Sequence, residues 1–227
     1  MKKVSDSNST LQKVAAPPSL REMAYLSIKE AIITKTLEPG VIYNEQGLAK
    51  ELGMSKTPVH EALIDLANRG FVTLLSRRGV RINILTTEDI INLYSFRLLI
   101  EGAMLRSISD TFEEAHIDNL LSLHKKCLDA KPSNGMVNYL KLERTFHDYL
   151  ASLSQNSYMI NALSNIRDLI DWMGMTALSR VERMAEVNRE HDEIIGFLTK
   201  MDFEGAALSM EKHIRITLEN VLRHQLY

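Results

Sequence analysis

Cysteine occurs once in the 227 residues, at Cys127, and one thiol excludes both an intramolecular disulfide and a thiolate metal cluster. Its simplest reading is a small residue on a helix. No apolar run approaches the roughly 20 residues of a membrane span, and the N-terminus carries no apolar signal region, so a cytoplasmic protein is expected. An HExxH pattern, internal repeats and low-complexity tracts are all missing. Beyond Ile84 glycine becomes scarce and β-branched alternation stops, leaving helical periodicity to the end of the chain.

What is present is an ordinary globular composition, 45% hydrophobic and 25% charged, with an uneven charge distribution beneath a net charge of −2. Residues 1–84 carry 12 Lys and Arg against 8 Asp and Glu, and residues 85–227 carry 15 against 21. A basic first part beside an acidic second part suits a polyanion at one end only. The excess is modest, so tight binding calls for two copies on two half-sites.

The stretch from Tyr43 to Ile84 reads as two short helices and a hairpin. Leu48, Ala49 and Leu52 give the first helix its apolar stripe and Asn44 is its N-cap. Gly53 closes it in the left-handed conformation, Ser55 or Thr57 caps the next, and Pro58 falls in the first turn. Val59, Ala62, Leu63 and Leu66 form the buried face of the second helix. Lys56, Thr57, His60 and Glu61 are left outward at its N-terminal end, the end that enters the major groove in a helix-turn-helix. Two β-prone runs, Phe71–Leu75 and Val80–Ile84, then flank a turn with Arg77 and Arg78 at its tip. Such a tip suits phosphate or minor-groove contact. Upstream, Ser19 and Glu22 form a capping-box pattern opening a helix whose Met23, Leu26, Ile28, Ala31 and Ile32 are expected to cover the helix-turn-helix.

Leu37-Glu-Pro-Gly, Leu48-Ala-Lys-Glu-Leu-Gly, Ser55-Lys-Thr-Pro-Val-His-Glu-Ala-Leu and Arg78-Gly79 together resemble the N-terminal domain of GntR-type bacterial transcription regulators over about 65 residues. The resemblance implies a winged helix-turn-helix that reads a palindromic double-stranded DNA operator. The family usually has arginine where Lys56 and His60 stand. A neutral histidine has one donor and one acceptor and cannot make an arginine's bidentate guanine contact, so the usual operator preference does not carry over.

After Ile84, helices are expected from Thr86 or Thr87 to about Ile108, from Thr111 through Glu113 and Glu114 to about Ala130, and at about 136–154, 157–179, 181–200 and 203–224. Lys131-Pro-Ser-Asn-Gly135 is a loop, and a further break falls near Ser179. The fold class is mainly α: a winged helix-turn-helix with a small β-hairpin, then an antiparallel bundle of six to seven helices. The expected division is a mobile arm over 1–18, a DNA-binding domain over 19–84, and a ligand-binding, metal-binding and dimerisation domain over 85–227.

Within the bundle, Glu143 and His147 lie four apart on one helix face, with His191 and His213 on two later helices. Three imidazoles and a carboxylate brought to one point suit zinc first, and also nickel, manganese or iron. Each residue alone also reads as surface or core, and His116, His124 and His224 are read that way. Tyr94-Ser-Phe-Arg97-Leu-Leu-Ile-Glu101, Glu143-Arg-Thr-Phe-His147, His191-Asp-Glu-Ile-Ile and Ala206-Ala-Leu-Ser-Met-Glu-Lys-His213-Ile resemble the helical, FCD-type effector domain of the FadR subfamily. That resemblance implies a divalent metal held by Glu143, His147, His191 and His213, the first more often Asp in the family. It also implies that Arg97 meets the acid group of an effector; from the sequence alone, Arg97 pairs either with a ligand's carboxylate or with Glu101. A metal and an arginine together favour a small carboxylic acid. Arg167 and Asn165 are further lining candidates, with Phe146, Trp172, Met173, Met175 and Met184 as apolar wall or plain core.

The resulting expectation is a homodimeric, ligand-controlled transcription regulator and not an enzyme. The competing readings are a regulator whose histidines hold no metal and a metal-dependent hydrolase with an accessory DNA domain.

Overall fold

The computed structural model describes residues 17–130, 136–177 and 181–225. The expected arm over most of 1–18, the loop at 131–135 and the break near Ser179 lie outside the described residues.

Ser19 opens the first helix as its spacing to Glu22 predicts: its hydroxyl accepts from the Glu22 N–H, and α1 runs Leu20–Ile33. The face it buries is Ala24, Ile28 and Ile32, whereas Met23 and Leu26 stand exposed. The reason is a polar stripe beside the apolar one. Arg21, Tyr25 and Lys29 recur every four residues and reach carboxylates, Asp65 for the first and Asp168 for the other two. The helix is therefore turned so that Met23 and Leu26 fall on the solvent side.

Asn44 accepts from the N–H groups of Gln46 and Gly47 and starts α2, Glu45–Glu51. Gly53, at φ +64°, ends it, and α3 runs Lys56–Asn68 from Ser55. Val59, Ala62, Leu63 and Leu66 are fully buried, each worth on the order of 1 to 3 kcal/mol on transfer from water. The hairpin follows as β2, Val72–Leu75, and β3, Gly79–Ile82.

One strand has no periodic signal of its own in the sequence. Ile42–Tyr43 pairs antiparallel with β3, and this strand, here β1, makes the sheet order β1-β3-β2. A Cβ at Gly79 would lie 2.2 Å from the Tyr43 carbonyl oxygen, so only glycine lets the two backbones close.

Six helices make the second unit among the described residues: α4 Thr87–Ser107, α5 Glu114–Asp129, α6 Met136–Leu153, α7 Ser157–Ala177, α8 Val181–Thr199 and α9 Phe203–Gln225. Thr86 caps α4 reciprocally with Asp89. At α5 the cap is Glu113, paired with His116, rather than Thr111. α9 packs along α4 and α8, and α6 lies between α5 and α7. None of the described helices is long and apolar enough to cross a membrane.

Candidate functional site

Lys56, Thr57, His60 and Glu61 are all exposed on the first two turns of α3, while Pro58 and Val59 are buried beneath them. Glu45, at the start of α2, stands between the two basic groups. Its carboxylate lies 3.2 Å from His60 Nδ1 and 3.7 Å from Lys56 Nζ. Arg77 and Arg78 are exposed at the hairpin tip, where Arg77 takes φ +59°. The arrangement is a winged helix-turn-helix that exposes basic groups at the start of α3 and at the hairpin tip.

In the bundle the structure brings Glu143, His147, His191 and His213 together, one ligand atom from each lying within 4.8 Å of the others. Glu143 and His147 come from α6, His191 from α8 and His213 from α9, and all four are buried. Two of the rings are held from behind. Glu101 of α4 lies 2.5 Å from His147 Nδ1, and Glu190 lies 2.6 Å from His213 Nδ1. The opposite nitrogens consequently point inward: His147 Nε2 is 3.1 Å from Glu143, and His213 Nε2 has no partner. His191 stacks on Phe146 with ring centroids 4.3 Å apart, and neither of its nitrogens is hydrogen-bonded.

Buried polar atoms are normally paired, so this concentration of unpaired imidazole nitrogens beside a carboxylate fits a bound cation. Protonation states point the same way. Burial, with the charges of His213 and His147, holds His191 well below the usual imidazole range, and burial lowers His213 against the pull of Glu190. Both are thus neutral and able to donate a lone pair. Burial also opposes a proton on His147, but Glu101 and then Glu143 outweigh it and raise this ring. For Glu143 burial is likewise outweighed, by His147, Arg97 and His191, and the carboxyl stays ionised. A metal here would supply the positive charge that Glu101 and Glu143 favour on His147.

Residues 92–216 match the FCD domain, and residues 20–82 match the gntR family of bacterial regulatory proteins. The chain belongs to the GntR/FCD family of transcription regulators. It is 29% identical over 206 residues to the HTH-type transcriptional regulator YdhC of Bacillus subtilis, covering 89% of this chain and 90% of that one. Among solved structures, Escherichia coli McbR/YncC superposes with a TM-score of 0.77 at 16% identity, covering 91% of this chain and 99% of that one. A GntR regulator from Rhodococcus sp. RHA1 superposes at 0.73 with 20% identity, covering 89% and 97%. At these identities the structural likenesses concern the fold.

Around the cluster, this GntR/FCD regulator places Arg97 fully buried, its Nε donating to Glu101 at 2.6 Å and its terminal nitrogen 3.3 Å from His147 and 3.7 Å from Glu143. Beside it is a cavity of about 20 Å³ lined by Tyr94, Arg97, Glu143, Asp171, His213 and Thr217 among others, roughly the room of one water. Tyr94 presents a buried hydroxyl without a hydrogen-bond partner. Burial pushes this phenol up to about 12, so it is a donor at any ordinary pH. Arg167 is buried nearby, 3.0 Å from Asp148 and 3.8 Å from Glu101.

Other lining candidates lie elsewhere. Trp172 stacks on Phe71 of the winged helix-turn-helix, with centroids 5.4 Å apart, and Asn165 faces Arg21, Tyr25 and Arg69 across the junction of the two units. Met173 lines a cleft of about 880 Å³ between them, with Arg81, Asn83 and Phe96, which none of the four clustered residues reaches. Met184 packs with Cys127, Tyr139 and Val187 in a small separate core, where burial, then Glu143, pushes the Cys127 thiol up to about 12. The Met175 side chain lies outside the described residues. Of the histidines set aside, His116 completes the α5 cap, while His124 is buried 6.1 Å from His191 and paired to Asp192.

Neither Tyr94 nor Glu190 carries a functional signal of its own in the sequence, whereas His124 is the hydrogen-bonded core histidine expected. Glu190 directly precedes His191, and that adjacency was the available signal.

Proposed function

We propose that this chain is a homodimeric regulator in which Lys56, Thr57, His60, Arg77 and Arg78 contact a palindromic operator. Residues 19–84 act as the DNA-binding domain, and residues 85–227 carry the effector site and the dimer contacts. In the second of these, Glu143, His147, His191 and His213 hold a divalent transition metal, zinc before nickel, manganese or iron. The observation that carries this reading is the set of unpartnered, buried nitrogens of His191 and His213, in a cluster whose ligand atoms, Glu143's carboxylate included, lie within 4.8 Å of one another. The bound ion supplies a Lewis-acidic seat for oxygen ligands.

The chain's own groups define what else binds. Arg97 offers a guanidinium for a carboxylate, and Tyr94 offers a hydroxyl for a second oxygen. Both line the same small cavity as Glu143 and His213, and the preferred effector is therefore a small hydroxy or keto carboxylic acid. The FadR-subfamily pattern of the ligand residues supports the same assignment. A cavity of about 20 Å³ does not hold such an acid, so the effector binds an opened bundle. It shifts DNA affinity only by binding that arrangement unequally with the closed one.

Protein purified with added zinc should retain a single ion per chain, and the Glu143→Ala and His147→Ala variants should retain none. Against a panel of small acids at about 100 times Kd, the right one should raise the melting temperature of the zinc-loaded protein by roughly 5 to 11 °C. The shift should vanish with a chelator and in Arg97→Ala, and shrink in the milder Tyr94→Phe. Wild type that takes up no metal, or a response surviving in both variants, would sink the assignment.

A further inference from the structure

Asp168 on α7 sits where the two units meet. Its carboxylate is buried, yet it accepts from Tyr25 at 2.6 Å and Lys29 at 2.9 Å on α1, and from Arg69 just past α3 at 3.4 Å. A fourth donor comes from within the bundle: Arg144, 2.8 Å away. Arg144 directly follows Glu143, and the same guanidinium nitrogen is 2.7 Å from Asp171. On the turn after Asp168, Trp172 carries the stack on Phe71 at the root of the hairpin. Asp168 and Trp172 thus hold the winged helix-turn-helix, while Ile170, Asp171 and Gly174 of the same helix line the cavity beside Glu143 and His213. One helix forms a wall of the buried centre and the seat of the DNA-binding unit.

We propose that Asp168 is a positioning residue that sets where the DNA-binding unit sits on the bundle, and that Arg144 ties this position to the state of the buried histidine centre. The first half stands on the contacts alone. The second rests on the metal reading given above. Anything that moves Glu143 moves the start of the Arg144 side chain, whose far end is shared between Asp168 and Asp171. Arg144 can shift its hydrogen bond between those two carboxylates, and only one of them touches the DNA-binding unit.

The test uses the full chain and an operator obtained by in vitro selection from random duplexes, remade as a series with varied half-site separation. Wild type should prefer one separation by about tenfold or more, the worth of a charge-assisted hydrogen-bond set in fixing orientation. Asp168→Asn, which keeps the side-chain shape, should flatten that preference, and Tyr25→Phe should do so more weakly. A merely structural role would instead lower affinity equally at every separation, whatever the change in melting temperature. Wild type without a preference, or variants that retain it, overturns the positioning role.

In the second arm, zinc-loaded and chelator-treated wild type should prefer different separations. Arg144→Gln should keep its zinc by metal analysis yet lose the difference. Zinc-loaded wild type with no difference overturns the relay. Protein that takes up no zinc overturns the reading of the centre and the relay with it, and the first arm alone then decides the role of Asp168.

Discussion

His60 and Glu45 show how one contact alters what a residue can read. With a carboxylate 3.2 Å from Nδ1, the ring proton is held on that nitrogen, and a neutral His60 presents Nε2 as an acceptor. In the major groove, acceptors pair with the exocyclic amines of adenine and cytosine, not with guanine. Sites selected by wild type should therefore carry adenine or cytosine at the base beneath His60, and His60→Arg should convert that position to guanine. Selection of guanine by wild type there, lost in His60→Ala, would refute the tautomer assignment. The site residues that were legible in the sequence share a property. Glu143 and His147 stand four apart, a spacing that means one face whatever surrounds it. Tyr94, Glu101 and Glu190 were harder, because a carboxylate behind a histidine, or a phenol in a cavity, has the same local sequence as one in water, and only the meeting of α4 with α6 and of α8 with α9 distinguishes them.

At the scale of elements, α7 explains what the sequence could not separate. From Ile166 to Gly174 no position of α7 is exposed, and a 3.6-residue period then no longer tells Trp172, which meets Phe71, from a residue lining the centre. β1 was illegible for another reason: two residues have no period, and the signal for it was Gly79 on the partner strand. The link from α7 to α1 has a pH signature. Burial opposes ionisation of Asp168, but Tyr25, Arg144 and Lys29 outweigh it and lower the carboxyl to about 2. A carboxyl lowered on folding stabilises above its unfolded pKa, and the stability is lost as pH falls through the folded value. Asp168→Asn should accordingly be less stable than wild type by on the order of 2 kcal/mol near neutrality, with the gap closing between pH 4 and 2. A gap constant over that range would show that Asp168 contributes by shape alone. The hairpin makes a second element-scale prediction: replacing both Arg77 and Arg78 by alanine should weaken DNA binding and reduce its salt dependence by about one to two counterions. An unchanged slope in filter binding across a salt series would remove the tip from the interface.

For the whole molecule, the charge asymmetry and the fold agree. The first unit, with its basic excess, presents Lys56, Arg77 and Arg78 outward, and the acidic second unit gathers its buried carboxylates around guanidinium and imidazole groups. The architecture was legible because its signals are local: capping residues at Ser19, Asn44 and Thr86, and a left-handed glycine at Gly53. How the two units meet was not, since a lone Asp168 among helical residues carries no mark of the partners it meets from a distant part of the chain.

The closeness of the buried centre has a consequence for time rather than for affinity. Five helices, α4 and α6 to α9, surround a space with room for about one water, and a chelator could not approach an ion held beside it while they stay packed. Removal of the metal then waits on the bundle opening, however strong the competitor outside. The rate of zinc loss should reach a plateau as chelator concentration rises, and the plateau is the opening rate itself; loss that accelerates without limit would mean a standing entrance to the site. On the proposed reading, a regulator built this way would keep its metal over many binding and release events on DNA, so the ion would behave as a fixture of the fold, and the acid would be the part that comes and goes.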